Sequence, residues 1–107
     1  MEKLQFQLFG QNRATAFIPI LVGVVGSGNL EVMIEPLADV AQCRVDIITS
    51  AQGFAPIWGA VMQDFQERHS LCGIAISIND MGATPAVVSL RLDQAAAALP
   101  VTTKVKP

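Results

Sequence analysis

Gly26-Ser27-Gly28-Asn29 is the stretch of this sequence whose residue types and spacing most suggest chemistry. A glycine on each side removes both neighbouring side chains, so the Ser27 hydroxyl stands clear. Glycine also lets a turn reach positive φ without a steric penalty. Four uses of such a loop compete. The plainest is a turn with an incidental serine. A phosphate-binding loop, Gly23-x-x-Gly26-x-Gly28, needs a helix N-terminus directly behind it to supply amides and dipole. Here Leu30-Glu31-Val32-Met33-Ile34 follows, and it alternates like a strand. A hydrolase serine elbow wants glycines two residues before and two after the serine, in a strand-to-helix turn. This spacing lacks both. The fourth use is a modification site, exposed so that another enzyme can reach it.

Other reactive side chains form no set. His69 is the single histidine, and it falls at the end of a predicted helix, where a cation is favourable. Glu31 and Glu35 share one strand face as solvated acids. Asp80-Met81-Gly82 reads as a turn. Cys43 and Cys72 form no C-x-x-C pair and sit in apolar stretches, as reduced core thiols do. No two convergent ligands propose a metal site.

The elements that must hold the loop are read from periodicity. Leu4, Phe6 and Leu8 alternate with Gln5 and Gln7, the pattern of a half-buried strand, and Gly10-Gln11-Asn12 marks a turn. A second strand is expected over 15–25, apolar on both faces and therefore central or covered by a partner. Pro19 argues for an edge or a bulge near that point. Leu30, Val32 and Ile34 then face one way in a third strand that Pro36 ends, so the serine loop joins a β-hairpin.

Residues 43–49 make another strand, with Val45 and Ile47 inward and Arg44 and Asp46 outward. Phe54, Ile57, Trp58, Val61, Met62 and Phe65 recur at helical spacing over 55–69, with Gln63, Asp64, Gln66, Glu67 and Arg68 on the opposite side. That stripe reads as core. Ile74, Ile76 and Ile78 share a face of a strand over 73–79. Thr84-Pro85 suits an N-cap followed by the first helical position. Val88, Leu92, Ala95, Ala96 and Leu99 then fit a helix, although 88–92 also alternates like a strand.

The expected fold is α+β: a mainly antiparallel sheet of about five strands with two helices on one face, a two-layer sandwich. One domain is expected over 1–99, with a flexible tail over 100–107.

Bulk composition narrows the function classes. The 107 residues are 51% hydrophobic and 15% charged, against about 25% charged in an average soluble domain. So little charge points to burial against a partner. Of the seven lysines and arginines, Lys104 and Lys106 fall in the tail, leaving five basic groups against nine acidic ones in 1–99. Arg13, Arg44, Arg68 and Arg91 are isolated from one another, the opposite of a nucleic-acid-binding surface. The apolar run over 14–25 is too short for a membrane span and contains Pro19. The first residues lack a signal-peptide pattern. A cytoplasmic interaction subunit is expected.

Two separated strings carry a family resemblance. Val-Gly-Ser-Gly-Asn-Leu-Glu-Val-Met-Ile-Glu-Pro at 25–36 resembles the prosthetic-group segment of malonate decarboxylase acyl-carrier subunits. Asn-Asp-Met-Gly-Ala-Thr-Pro-Ala-Val-Val-Ser-Leu-Arg-Leu at 79–92 looks like a later signature of that family, and the likeness covers roughly residues 3–98. The citrate lyase acyl-carrier subunit is similar more weakly. Ordinary acyl carrier protein, an acidic helical bundle with an Asp-Ser-Leu attachment motif, is a poor match.

The resemblance implies a non-catalytic carrier. Its serine, matched here by Ser27, would bear 2'-(5''-phosphoribosyl)-3'-dephospho-CoA through a phosphodiester. Gly26, Gly28 and Asn29 would shape the loop. An acetyl thioester on the arm would be exchanged for malonyl by an acyltransferase subunit and decarboxylated by further subunits, after a separate transferase had attached the arm. The family usually has Asp where Asn29 stands. Both residues suit a turn, so the difference bears on recognition by the loading transferase.

Overall fold

Leu4, Phe6 and Leu8 lie half-buried along one side of the first strand in the computed structural model, which describes residues 1–39 and 41–104. In chain order the elements are β1 (Glu2–Phe9), β2 (Asn12–Ala14), β3 (Ile20–Gly23), β4 (Leu30–Pro36), β5 (Gln42–Thr49), α1 (Ala55–His69), β6 (Leu71–Cys72), β7 (Ile74–Asp80), α2 (Pro85–Ala97) and β8 (Val101–Lys104). The main sheet has five strands in the order β1-β5-β7-β4-β3. Its pairs are antiparallel except β5–β7, which run parallel. A parallel pair needs a crossover, and α1 supplies it.

Both helices lie on one face of this sheet. Leu30, Val32 and Ile34 of β4, Val45 and Ile47 of β5, and Ile74, Ile76 and Ile78 of β7 are buried there against Trp58, Met62, Phe65, Val88 and Leu92. The opposite face is open, and carries a Gln5–Asp46 hydrogen bond and an Arg44–Asp46 ion pair. The expected α+β sandwich is therefore the observed one. Thr84 caps α2 by accepting from the Val87 amide, and Pro85 takes the first turn. The helical pattern over 84–98 prevails over the strand pattern because Val88, Leu92, Ala95 and Ala96 share one buried face.

Other expectations need correcting. One strand was expected over 15–25, but only Ile20–Gly23 is β3. Pro19 has no amide to donate, and the Thr15 amide and hydroxyl both turn to Pro100 O at 2.8 Å. β3 is also an edge, so Ile18 and Leu21 are 83% and 60% exposed rather than central. A second sheet, β6-β2-β8, has no sequence signature. Within the expected tail, Val101–Lys104 pair antiparallel with β2, whose other side is taken by β6. Residues 105–107 lie outside the described residues.

The helix bounds 55–69 agree with α1, but its faces differ in two places. Phe54 and Ile57 are 47% and 45% exposed, and both line an open cleft instead of the closed core. Gln66, expected on the solvent side, is buried. Its amide nitrogen donates to Phe9 O and Leu71 O at 2.7 Å each, and its oxygen accepts from the Leu71 amide at 3.3 Å. It thus satisfies backbone groups where β1, α1 and β6 meet. Gln66→Leu keeps the volume and orphans those groups, each at about 1–3 kcal/mol before relaxation and rehydration. A net loss of about 2 kcal/mol is expected in urea unfolding. A change below a few tenths would show that water replaces the side chain.

Cys43 and Cys72 are free and buried, as expected. Burial, with a smaller contribution from Cys72, pushes the Cys43 thiol from 9.0 up to about 12; burial also raises Cys72. An acid raised by folding stabilises fully below its unfolded pKa, so this contribution is present at neutral pH. It is lost as pH rises from about 9 toward about 12. Neither protein thiol should react with a maleimide in the native state at neutral pH, and both should react in denaturant. Native labelling of either would contradict the burial.

Candidate functional site

The Ser27 loop joins β3 to β4 at the edge of the main sheet. Register places Val22 opposite Val32 and Gly23 opposite Glu31, so the last paired residues lie just below the loop. Gly23 has φ +85°, and a Cβ there would stand 2.2 Å from Leu30 O. Only glycine closes this end of the ladder. The chain then turns through Gly26-Ser27-Gly28-Asn29, where the Asn29 amide donates to Gly26 O at 2.9 Å. Gly28, with φ +72°, occupies the third position of that turn, where a type II turn requires positive φ.

Ser27 is exposed, and none of the hydrogen bonds around the turn uses its hydroxyl. A Cβ added at Gly26 or Gly28 would meet nothing within 4 Å. The two residues beside the exposed serine thus carry no side chain and face open space.

The turn is fastened rather than free. The Gly28 amide donates to Met81 O at 2.8 Å, and the Met81 amide donates to Asn29 O at 3.0 Å. Asn29 Oδ1 accepts from the Leu30 amide at 2.9 Å, a role that an aspartate would fill equally. Met81 is held in turn by Asp80, whose carboxylate accepts from Thr49 Oγ1 at 2.8 Å, Gly82 N at 3.2 Å and Ala83 N at 2.9 Å. Asp80 is buried and bridges the ends of β5 and β7 to the start of α2. Beyond it, Phe54, Ile57, Trp58, Val61, Ala83 and Val88 line an apolar cleft of about 280 Å³ between the two helices.

The site residues read from sequence thus converge: Gly26, Ser27, Gly28 and Asn29 form one turn. The fastening by Met81 and Asp80 was missed, although Asp80-Met81-Gly82 was read as a turn. An Asp two residues before a Gly is the available signal for such a cap. Arg91 was also missed; its Nε lies 3.5 Å from Asn29 Oδ1.

The geometry disfavours the competing uses of the loop. β4 follows Asn29 directly, so the glycine loop does not run into a helix N-terminus as a phosphate-binding loop does. His69 pairs with Asp93 at 2.9 Å and stacks against Phe65. That pair lies near the start of β7 and the turn near its end, separated by roughly 20 Å of strand. Arg68 joins the pair at 2.9 Å. Burial raises the Asp93 carboxyl, but hydrogen bonds from His69 and Arg68 outweigh it and hold the group below its usual range. This is a structural cluster at the far end of the sheet. No group of three or more His, Cys, Asp or Glu able to hold a metal occurs among the described residues. No helix there is long and apolar enough to cross a membrane.

Comparison with known proteins adds a family. Residues 18–99 match the malonate decarboxylase delta subunit family. A malonate decarboxylase acyl carrier protein of Burkholderia cepacia is 64% identical over 97 residues, which cover 91% of this chain and 89% of that protein. The protein of the same description from Acinetobacter calcoaceticus is 46% identical over 95 residues, 89% of this chain and 93% of that one. Among solved structures, a chain of a Pseudomonas malonate decarboxylase hetero-tetramer in complex with malonate superposes with a TM-score of 0.82 at 35% identity. The match covers 91% of this chain and 97% of that one.

Proposed function

The chain belongs to the malonate decarboxylase delta subunit family, a carrier rather than a catalytic subunit, and from that premise we propose that Ser27 bears the arm on which the acyl group travels. The group implied by the family is phosphoribosyl-dephospho-CoA, joined through a phosphodiester. The observation that carries this reading is an exposed serine with an unbonded hydroxyl, flanked by glycines, on a backbone-fastened turn. When bound, the arm supplies a terminal thiol able to hold an acyl group as a thioester.

This chain's own residues hold and present. The turn keeps the attachment oxygen outside the fold, and Met81 and Asp80 keep the turn still. A tether at a fixed point replaces free diffusion with an effective concentration of order millimolar at each active site within reach. Cys43 and Cys72 take no part, since both are buried as thiols. The partners implied are an acyltransferase, decarboxylase subunits and the transferase that attaches the arm. A surface suited to such partners runs along the free edge of the sheet. Ile18, Leu21, Val24 and Val25 are exposed there, and no charged residue falls between Arg13 and Glu31.

The decisive measurement is the intact mass of the protein from its native host grown on malonate, with peptide mapping around Ser27. A mass increment equal to the arm, confined to the peptide containing Gly26-Ser27-Gly28, is expected. A wholly unmodified chain from cells actively consuming malonate would falsify the assignment.

A further inference from the structure

Arg91 lies against the base of the Ser27 loop. Its Nε stands 3.5 Å from Asn29 Oδ1, and Nη1 donates to Gln94 Oε1 at 3.0 Å. Its stem passes Gly23, where a Cβ would stand 3.5 Å from Arg91 Cδ, an ordinary van der Waals distance. The guanidinium therefore touches the residue that closes the loop, and its stem passes the residue that opens it.

The charge of Arg91 is uncompensated. Among the described residues, the ion pairs join Arg44 to Asp46, Arg68 to Asp64 and Asp93, and His69 to Asp93; none involves Arg91. The acids nearest in register are otherwise engaged or turned away. Asp80 is held by Thr49, Gly82 and Ala83, while Glu31 approaches Asn79 at 3.5 Å. Arg13, Arg44 and Lys3 lie on other strands: Arg13 in β2, Arg44 in β5, and Lys3 on β1 at the far edge of the sheet.

An unpaired guanidinium beside an exposed turn matches one ligand chemistry well, a phosphate monoanion, which it meets with two parallel N–H donors. Asn29 is two residues from Ser27, so the Cα atoms are at most about 7 Å apart. A phosphate on the Ser27 oxygen would sit within two residues of the guanidinium's contact at Asn29. We propose that Arg91 binds the phosphodiester through which the arm is attached, and so fixes the direction in which the arm leaves the turn. This rests on Ser27 being the attachment residue.

The test uses the full chain co-expressed with its loading transferase, as wild type, R91A, R91K and N29D. Intact mass first reports how much of each carries the arm, and ³¹P NMR then reads the phosphodiester. In the loaded wild type, the resonance should be broadened and should shift as salt is raised. R91A should narrow it and abolish the salt-dependent shift, and R91K should restore part of that shift. N29D places a carboxylate beside the guanidinium without touching residue 91, and should weaken the salt response as R91A does. It also serves if R91A fails to fold. If R91A is folded but unloaded, and R91K is loaded, the same contact is already needed during attachment, which supports the proposal. A loaded R91A or N29D with the line width and salt response of wild type overturns it while leaving Ser27 in its role. A wild type that acquires no mass increment in the presence of the transferase overturns the Ser27 assignment, and this inference with it.

Discussion

Ser27→Ala is expected to remove the arm entirely while leaving the fold intact. The hydroxyl makes none of the bonds that build the turn, which comes from the backbones of Gly26, Gly28, Asn29 and Met81. An exposed substitution of this kind changes stability by no more than about 0.5 kcal/mol. The variant should therefore match wild type in urea unfolding and gain no mass when produced with the loading transferase. A complex assembled with it should have no malonate-dependent turnover, a loss larger than any structural variant would cause. Two results would sink the prediction: the increment appearing on another residue, or turnover persisting in a complex whose carrier lacks the hydroxyl.

The second large effect is on stability, at Asp80. Its carboxylate accepts from one hydroxyl and two backbone amides, and the residue is 3% exposed. Asp80→Ala strands all three donors. Leaving buried donors unsatisfied costs about 1–3 kcal/mol each, and partial rehydration at the turn reduces the sum. A loss of about 3 kcal/mol is expected, enough to bring a marginally stable domain near its threshold. Asp80→Asn keeps an acceptor and should lose about 1 kcal/mol. The signature beyond stability is local: the Gly28 amide, bonded to Met81 O, should exchange with solvent much faster in Asp80→Ala. A loss below about 1 kcal/mol, or unchanged exchange at Gly28, would show that the carboxylate does not hold the turn.

The residues that were readable and those that were not differ in physical kind. Helix α1 was legible because Trp58, Met62 and Phe65 repeat on one face and Pro56 marks the start. The inward faces of β4 and β7 were legible because Leu30, Val32, Ile34 and the three isoleucines alternate without interruption. Gln66 defeated the pattern, since a buried amide that serves backbone groups resembles a surface glutamine in sequence. The second sheet was invisible because strands of two to four residues carry no period. In 15–25 the apolar run was real, but the Thr15 amide turns to Pro100 O and Pro19 has no amide to offer a ladder. The Ser27 turn itself was legible from its glycines. Its anchor was not, because the bonds between Gly28, Asn29 and Met81 are between main chains and leave no mark on residue type. Arg91 stands within the 79–92 string, but only the fold brings it beside Asn29.

The bonds from Met81 to Gly28 and Asn29 have a consequence for the order of events during synthesis. The serine emerges from the ribosome early, yet the clasp that shapes its turn lies half a chain later, beyond the residues of β5, α1 and β7. The β3–β4 hairpin and the β1–β5 pair need nothing beyond Thr49, but β7, which joins these two halves of the sheet, ends only at Asp80. An attaching enzyme that recognises the clasped turn would pass over nascent and misfolded chains alike. An arm attached in this way would serve as a record that its bearer has folded.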